Sequence, residues 1–377
     1  MIQTPAYVYD TGALKERIGM IRETLPGIPL TYSVKANSFI LKAAAGEVSH
    51  VEVCSPGELQ ICKAAGIDPK KIIYSGVMKE TADIRDAVMT GADILTAESR
   101  NQFELIAGAA EDLDVSVKVI LRISSDNQFG MDPEEIRAIV RERAAWPKVR
   151  LLGFHYYSGT QKKKPEQIAS DIERISGVTG ACERESGFLP EFVEYGPGLA
   201  AEVFREDGDA ADRELLEKVK PLLLAFAERV PLGIELGRFI AAGCGTYYTA
   251  VKDLKTNYGI RYAILDGGMH HLKYYGQIMA MHIPPIVQEP CRDGEKQAYC
   301  LCGSLCTVAD VLAKNAELQE LRTGDVLAFG KCGAYSMTEA PELFLSRDLP
   351  GVYLRENGEL RLVRRPVHSW EINSTGL

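Results

Sequence analysis

The sequence has no CxxC pair, no low-complexity linker and no excess of basic residues. It also has no apolar run near the roughly 18 residues that a membrane span needs. Its 43 Lys and Arg stand against 52 Asp and Glu, a net charge of −9, and this balance argues against nucleic acid as a partner. The single lysine triplet, Lys162-Lys163-Lys164, reads as a solvated loop. Nine cysteines are an odd number and lie scattered. Met1-Ile2-Gln3-Thr4-Pro5 has neither a basic start nor an apolar stretch. Free thiols in a reducing cytoplasm are therefore expected, with no membrane partner. Cys300, Cys302 and Cys306 follow a C-x-C-x3-C spacing without the matching distant ligands of a zinc site, so no metal is expected.

What is present is a rhythm. The 377 residues exceed one average domain, which predicts two unless one is a large barrel. Short β-branched runs begin at Leu30, Val51, Lys71, Asp93, Val117, Val149, Phe192 and Leu232. Stretches of helical period separate them, with Gly and Asp at the returns. Eight strands alternating with helices predict an α/β fold, a (β/α)8 TIM barrel, with an open doubly wound sheet as the competitor. Residues at the strand ends favour the barrel, whose mouth gathers such side chains: Lys35, Ser55, Gly76, Glu98, Arg122, His155, Gly196 and Glu235. After about 245 short extended segments dominate, with turns at Asp266-Gly267-Gly268, Asp293-Gly294 and Thr323-Gly324-Asp325. The expected domains are a barrel over 25–245 and a β-sandwich or barrel-like domain over 1–24 and 246–377.

Several strand-end residues have chemical potential, each beside an ordinary reading. Lys35, in Tyr32-Ser33-Val34-Lys35-Ala36-Asn37, is either a snorkelling surface lysine or an amine at a barrel mouth. At a mouth, burial lowers its pKa and suits it to a Schiff base with a carbonyl cofactor. Gly196-Pro197-Gly198 is either an ordinary turn or a place where backbone amides approach a phosphate. His155 and Ser158 are either a core histidine and a turn serine, or an aromatic plane and a phosphate-binding hydroxyl. Glu235 and Arg238, in Glu235-Leu236-Gly237-Arg238, are either a local ion pair or a carboxylate for a pyridinium nitrogen and a fork for phosphate. Cys306, apart from the zinc spacing set aside above, reads as a small buried hydrophobe.

Taken in order, the segments YSVKAN, FHYYSG, YGPG, ELGR, GSLC (303–306) and GAYS (333–336) resemble the fold-type III pyridoxal-phosphate decarboxylases across essentially the whole chain. That group includes diaminopimelate and ornithine decarboxylases and shares its barrel with alanine racemases. The resemblance implies pyridoxal 5′-phosphate as cofactor, held through Lys35, with His155 stacked on its ring and Glu235 on its nitrogen. Ser158, Gly196, Gly198, Gly237, Arg238 and Tyr335 would then surround the phosphate. Glu52 stands where the family commonly has Asp and would keep a polar contact near the ring. The resemblance also implies a homodimer with active sites at the interface and Cys306 reaching into the neighbouring subunit's site.

Departures from the family pattern bear on the substrate. Thr307 stands where diaminopimelate decarboxylases place Glu and ornithine decarboxylases place Asp. Tyr274, beside Tyr275, stands where an Arg is expected after the Asp266-Gly267-Gly268-Met269 turn. Loss of both charged grips should change the substrate. The Cys306-Thr307 pair, with Asp310 one turn beyond, is similar to decarboxylases acting on siderophore intermediates or carrier-tethered amino acids. Thr307, Asp310, Tyr274 and Tyr275 are accordingly expected to face substrate. The alternatives are a diaminopimelate decarboxylase, an amino-acid racemase on the same fold, and a non-catalytic regulator that binds pyridoxal phosphate.

Overall fold

A computed structural model describes residues 2–277 and 279–375. The chain divides into two compact units, one of Lys15–Ala200 and Asp212–Ile240, the other of Met1–Leu14, Ala201–Ala211 and Ala241–Leu377. Strand β1 (Ala6–Asp10) belongs to the second unit.

The first unit is a closed barrel of eight parallel strands. They are β2 (Leu30–Ser33), β3 (His50–Val53), β4 (Ile72–Tyr74), β5 (Ile94–Ala97), β6 (Val117–Arg122), β7 (Val149–Tyr157), β8 (Phe192–Gly196) and β9 (Leu232–Leu236). β9 pairs back onto β2, with Thr31 opposite Glu235. This is the (β/α)8 architecture expected from the alternating runs. Such strands are covered on both faces, which is why they read as continuous Val, Ile and Leu. Ile73, Ile94, Ile120 and Leu152 pack together as one buried cluster of these strands.

Local signals start and stop the surrounding helices. Ser55 and Ser99 cap the helices Pro56–Ala64 and Arg100–Asp112, accepting from the amides of Glu58 and Gln102. Proline opens the helices Pro133–Glu142 and Pro165–Ser186, where its missing N–H costs nothing. A register shift between Val119 and Ile120 on β6 leaves one extra residue on β7. Such a bulge bends and twists the strand locally, and beyond it His155 lies opposite Arg122.

The second unit is β-rich. Its later strands are β10 (Gly245–Asn257), β11 (Ile260–Leu265), β12 (Ile286–Glu289), β13 (Gln297–Cys302), β14 (Val311–Leu318), β15 (Val326–Phe329), β16 (Gly351–Glu356) and β17 (Glu359–Arg364). β1 lies between β10, antiparallel, and β16, parallel. Two-residue turns with both φ positive, Tyr258-Gly259 and Asn357-Gly358, join β10 to β11 and β16 to β17. Tyr7, Tyr247 and Phe329 are fully buried and form an aromatic core beneath this sheet. Among the described residues no helix is long and apolar enough to cross a membrane.

Candidate active site

Lys35 leaves β2 on a single 3-10 turn, Val34–Ala36. Its Nζ donates to Glu52 Oε2 on β3 at 2.7 Å and to Glu235 Oε1 on β9 at 3.3 Å, and lies 3.5 Å from Cys54 Sγ. Both acids are buried, whereas the lysine side chain keeps 40% of its surface exposed. The amine is therefore anchored by acids behind it and remains open to a reactant in front.

His155, buried on β7, sets its Nε2 3.2 Å from Glu235 Oε2, and the Ser33 hydroxyl donates to Glu235 Oε1. His155 Nδ1 is buried with no hydrogen-bond partner among the described residues. Glu52, His155 and Glu235 bring ligand-type atoms within 4.8 Å of one another, a spacing that by itself would suit a metal ion. Here a cation already sits on both carboxylates, the ammonium of Lys35.

The two carboxyls are driven apart. Burial pushes Glu235 up, but the charge of Lys35 and the contacts with His155 outweigh it and hold this carboxyl well below the usual range. Burial and the charge of Glu235 raise Glu52 in spite of Lys35. Glu235 is thus held ionised, while its charge and burial push Glu52 the other way. Glu194, fully buried on β8, is raised well above the usual range by burial and then by Glu235 and Glu52. Sequence reading passed over Glu194, although a charged residue in the middle of a buried parallel strand was a signal.

Two loops complete the site. Gly196 ends β8, and a Cβ there would fall 2.8 Å from the Tyr157 ring and 3.4 Å from Glu235 Oε2. Gly198 has φ of +60°, and its Cβ would lie 1.8 Å from the Gly159 carbonyl oxygen. The loops after β7 and β8 therefore pass backbone against backbone, as the approach of main-chain amides to an anion requires. Ser158, half-buried in the first loop, donates to Asp171 Oδ1 at 2.7 Å. Gly237 and Arg238 follow β9, with Arg238 half-buried at the start of a short helix.

The lysine triplet is not the solvated loop that its composition predicts. Lys163 and Lys164 are exposed, but Lys162 is buried and donates to Ser158 Oγ at 2.5 Å and to Asp171.

The donor set fits a flat, charged carbonyl cofactor. An accessible amine, an ionised carboxylate, a buried imidazole with an unpartnered nitrogen and a glycine cradle beside a hydroxyl occupy one end of the barrel strands. A model of the pyridoxal-dependent decarboxylases, covering their pyridoxal-binding domain, matches residues 11–242. The chain belongs to this family.

As a pyridoxal-dependent decarboxylase, it is a carboxy-lyase with pyridoxal 5′-phosphate as cofactor. It is 26% identical to the diaminopimelate decarboxylase of Aquifex aeolicus, over 96% of this chain and 89% of that protein. It is 28% identical to the L-glutamyl-[BtrI acyl-carrier protein] decarboxylase of Niallia circulans, over 100% and 94%. It is also 28% identical to the 2-[(L-alanin-3-ylcarbamoyl)methyl]-2-hydroxybutanedioate decarboxylase of Staphylococcus aureus, over 94% of each chain.

The remaining sequence-predicted residues of this decarboxylase lie in the β-rich unit. Cys306 is exposed and Thr307 half-buried. Tyr335 is half-buried at a φ of +63°. Tyr275 is 44% exposed. Tyr274 is buried, its hydroxyl donating to the Gly330 carbonyl at 2.6 Å and its ring centroid 5.7 Å from that of Phe204.

Asp310, expected to face substrate, is instead 2% exposed and accepts the amides of Met269 and Leu305, each at 2.7 Å. Its carboxylate is spent on tying the Gly268 turn to the loop that carries Cys306. A groove of about 700 Å³ also belongs to this unit, lined by Met269, Leu272, Tyr274, Val308, Val311 and Lys314 among others.

Proposed function

We propose that this decarboxylase acts on an α-amino acid whose far end is amidated, esterified or otherwise enlarged, including one tethered to a carrier protein. The observation that carries the reading is the lack of an available charge at the three positions expected to grip a distal group. Thr307 is neutral, the Tyr274 hydroxyl is committed to a carbonyl, and the Asp310 carboxylate is committed to two amides. The volume of the groove beside Tyr274, about 700 Å³, leaves room for a bulky tail. Two of the relatives are named for substrates of this enlarged kind.

Bound pyridoxal phosphate supplies the electron sink that accepts the pair left when carbon dioxide departs. Lys35 offers the amine that links to the cofactor carbonyl, and Glu52 and Glu235 keep that amine in place. Glu235, ionised, holds a proton on the ring nitrogen, and His155 supports the ring face. Ser158, Gly196, Gly198, Gly237, Arg238 and Tyr335 hold the phosphate.

A missing charge-assisted contact costs about 1.5–3 kcal/mol, or roughly ten- to hundredfold in binding. Free meso-diaminopimelate and ornithine should therefore show at least about tenfold lower kcat/KM than conjugated or carrier-loaded amino acids, measured as carbon dioxide release. Turnover of free diaminopimelate at about 10⁴ M⁻¹s⁻¹ or above, ordinary for an enzyme on its own substrate, would sink this substrate reading. It would favour the activity named for the Aquifex relative.

We further propose a homodimer in which the exposed Cys306 of one copy serves the site of the other. Lys35→Ala and Cys306→Ala chains, each inactive, should recover part of the activity when mixed. Random exchange leaves some dimers with one intact composite site. Absence of recovery after proven subunit exchange would count against the shared site.

A further inference from the structure

None of the roles above uses Lys162 and Asp171. Lys162 is 7% exposed and Asp171, on the helix Pro165–Ser186, is 6% exposed. A buried pair of this kind is costly to desolvate and persists only with good geometry and further hydrogen bonds. Those bonds are present. Asp171 accepts from Lys162, from Ser158 Oγ at 2.7 Å and from the buried Tyr195 hydroxyl at 2.7 Å, while Lys162 Nζ also donates to Ser158 Oγ at 2.5 Å.

The backbone fixes the lysine in this place. Gln161, just before it, has φ of +58°, a left-handed conformation uncommon outside glycine. The Lys162 N–H donates to the Gly198 carbonyl at 2.9 Å, and its carbonyl accepts from the Ala200 N–H at 3.0 Å. Lys162 thus laces the loop of Ser158 to the loop of Gly198, the two segments assigned above to the phosphate.

The hydroxyl of Ser158 has one proton, and in this arrangement Asp171 accepts it. If Ser158 donates to a phosphate oxygen instead, Asp171 gives up that donor and stands close to a second anion. An ammonium has three protons and is the group that can satisfy both sides.

We infer that Lys162 is a positioning residue for the cofactor phosphate. It neutralises Asp171 and so frees the Ser158 hydroxyl to turn toward the phosphate without setting a second bare anion beside it. The inference rests on the reading of Ser158 as a phosphate contact.

Pyridoxal, which carries the same ring and aldehyde without the phosphate, separates this role from a purely structural one. Equilibrium affinities of full-length Lys162→Met and Lys162→Gln chains are measured for both ligands after removal of bound cofactor. The dissociation constant for pyridoxal phosphate should rise about ten- to hundredfold, as for other lost charge-assisted contacts. That for pyridoxal should stay within about twofold, since the ring contacts are untouched. Lys162→Arg should restore much of the difference. Unchanged phosphate affinity, or an equal loss for both ligands, would overturn the inference. If Lys162→Met fails to fold, Lys162→Gln carries the comparison, and adding Asp171→Asn to it should recover phosphate affinity because the unpaired carboxylate is gone; no recovery would count against the inference. Ser158→Ala distinguishes the two layers of the argument. If it leaves the ratio of the two affinities unchanged, the phosphate assignment fails and the inference with it. If it lowers the ratio while the Lys162 variants do not, only the inference about Lys162 fails.

Discussion

Lys35→Ala is expected to lower turnover at least about 10⁴-fold, the scale seen when a covalent-catalysis group is removed. It should also abolish the visible absorbance of protein-linked cofactor and the borohydride-stable link between cofactor and chain. The geometry predicts a second effect. Lys35 is the cation on Glu52 and Glu235 and the largest influence opposing the burial of Glu235. Without it the Glu235 carboxyl moves up toward neutrality, so cofactor affinity should fall as well as rate. Lys35→Arg separates the two effects, because it keeps a charge near the acids and lacks the primary amine. Its affinity should exceed that of the alanine variant while its turnover remains as low. A reducible cofactor link and normal rates in Lys35→Ala would remove Lys35 from its assigned place.

Glu235→Gln should lower kcat by about 10²–10³, the usual effect of removing one preorganised electrostatic group, with cofactor still bound. The substitution keeps the shape of the side chain beside Ser33 and His155 but leaves the ring nitrogen without an anion. Glu52 should respond in a definite direction. The charge of Glu235 is, after burial, the next cause that raises it, so in the variant its pKa falls. The 2.7 Å contact of Glu52 with Lys35 keeps the amine anchored and confines the damage to the electron sink. Wild-type kcat in this variant would exclude the proposed role of Glu235.

The barrel was legible because its strands are short β-branched runs and their ends gather polar and glycine residues. Lys35, Glu52, His155 and Glu235 lie on four different strands or their ends, and the closed barrel brings them within hydrogen-bond reach. Other features were hidden by local reading. Lys162 looked like its two neighbours, and its burial comes from the left-handed Gln161 and from pairing with a loop nearly forty residues later. Asp310 looked like a substrate contact because it follows Cys306 by one turn. Its partner Met269 is 41 positions away, and no short-range pattern reports that. Glu194 was visible as a charge in a strand, but its companionship with Glu52 and Glu235 depends on barrel closure.

The buried acids and histidines also tie the stability of the chain to the acidity of its surroundings. Glu52 and Glu194 have raised pKa values in the folded state, so each takes up a proton on folding wherever the unfolded carboxyl is ionised. Their contribution is complete below about pH 4.3, the unfolded value, and declines as pH rises through the folded values. His270 and His271, in the β-rich unit, run the other way. Burial, with Arg347 for the first and the neighbouring His270 for the second, lowers them to about 4 and about 3. They must shed protons to fold, and their contribution is lost as pH falls below about 6.5. Acid therefore weakens the unit that carries Cys306 through its histidines, the barrel holds groups of both signs because Glu235 is lowered while Glu52 and Glu194 are raised, and the heat measured on folding includes the ionisation of whatever buffer exchanges those protons.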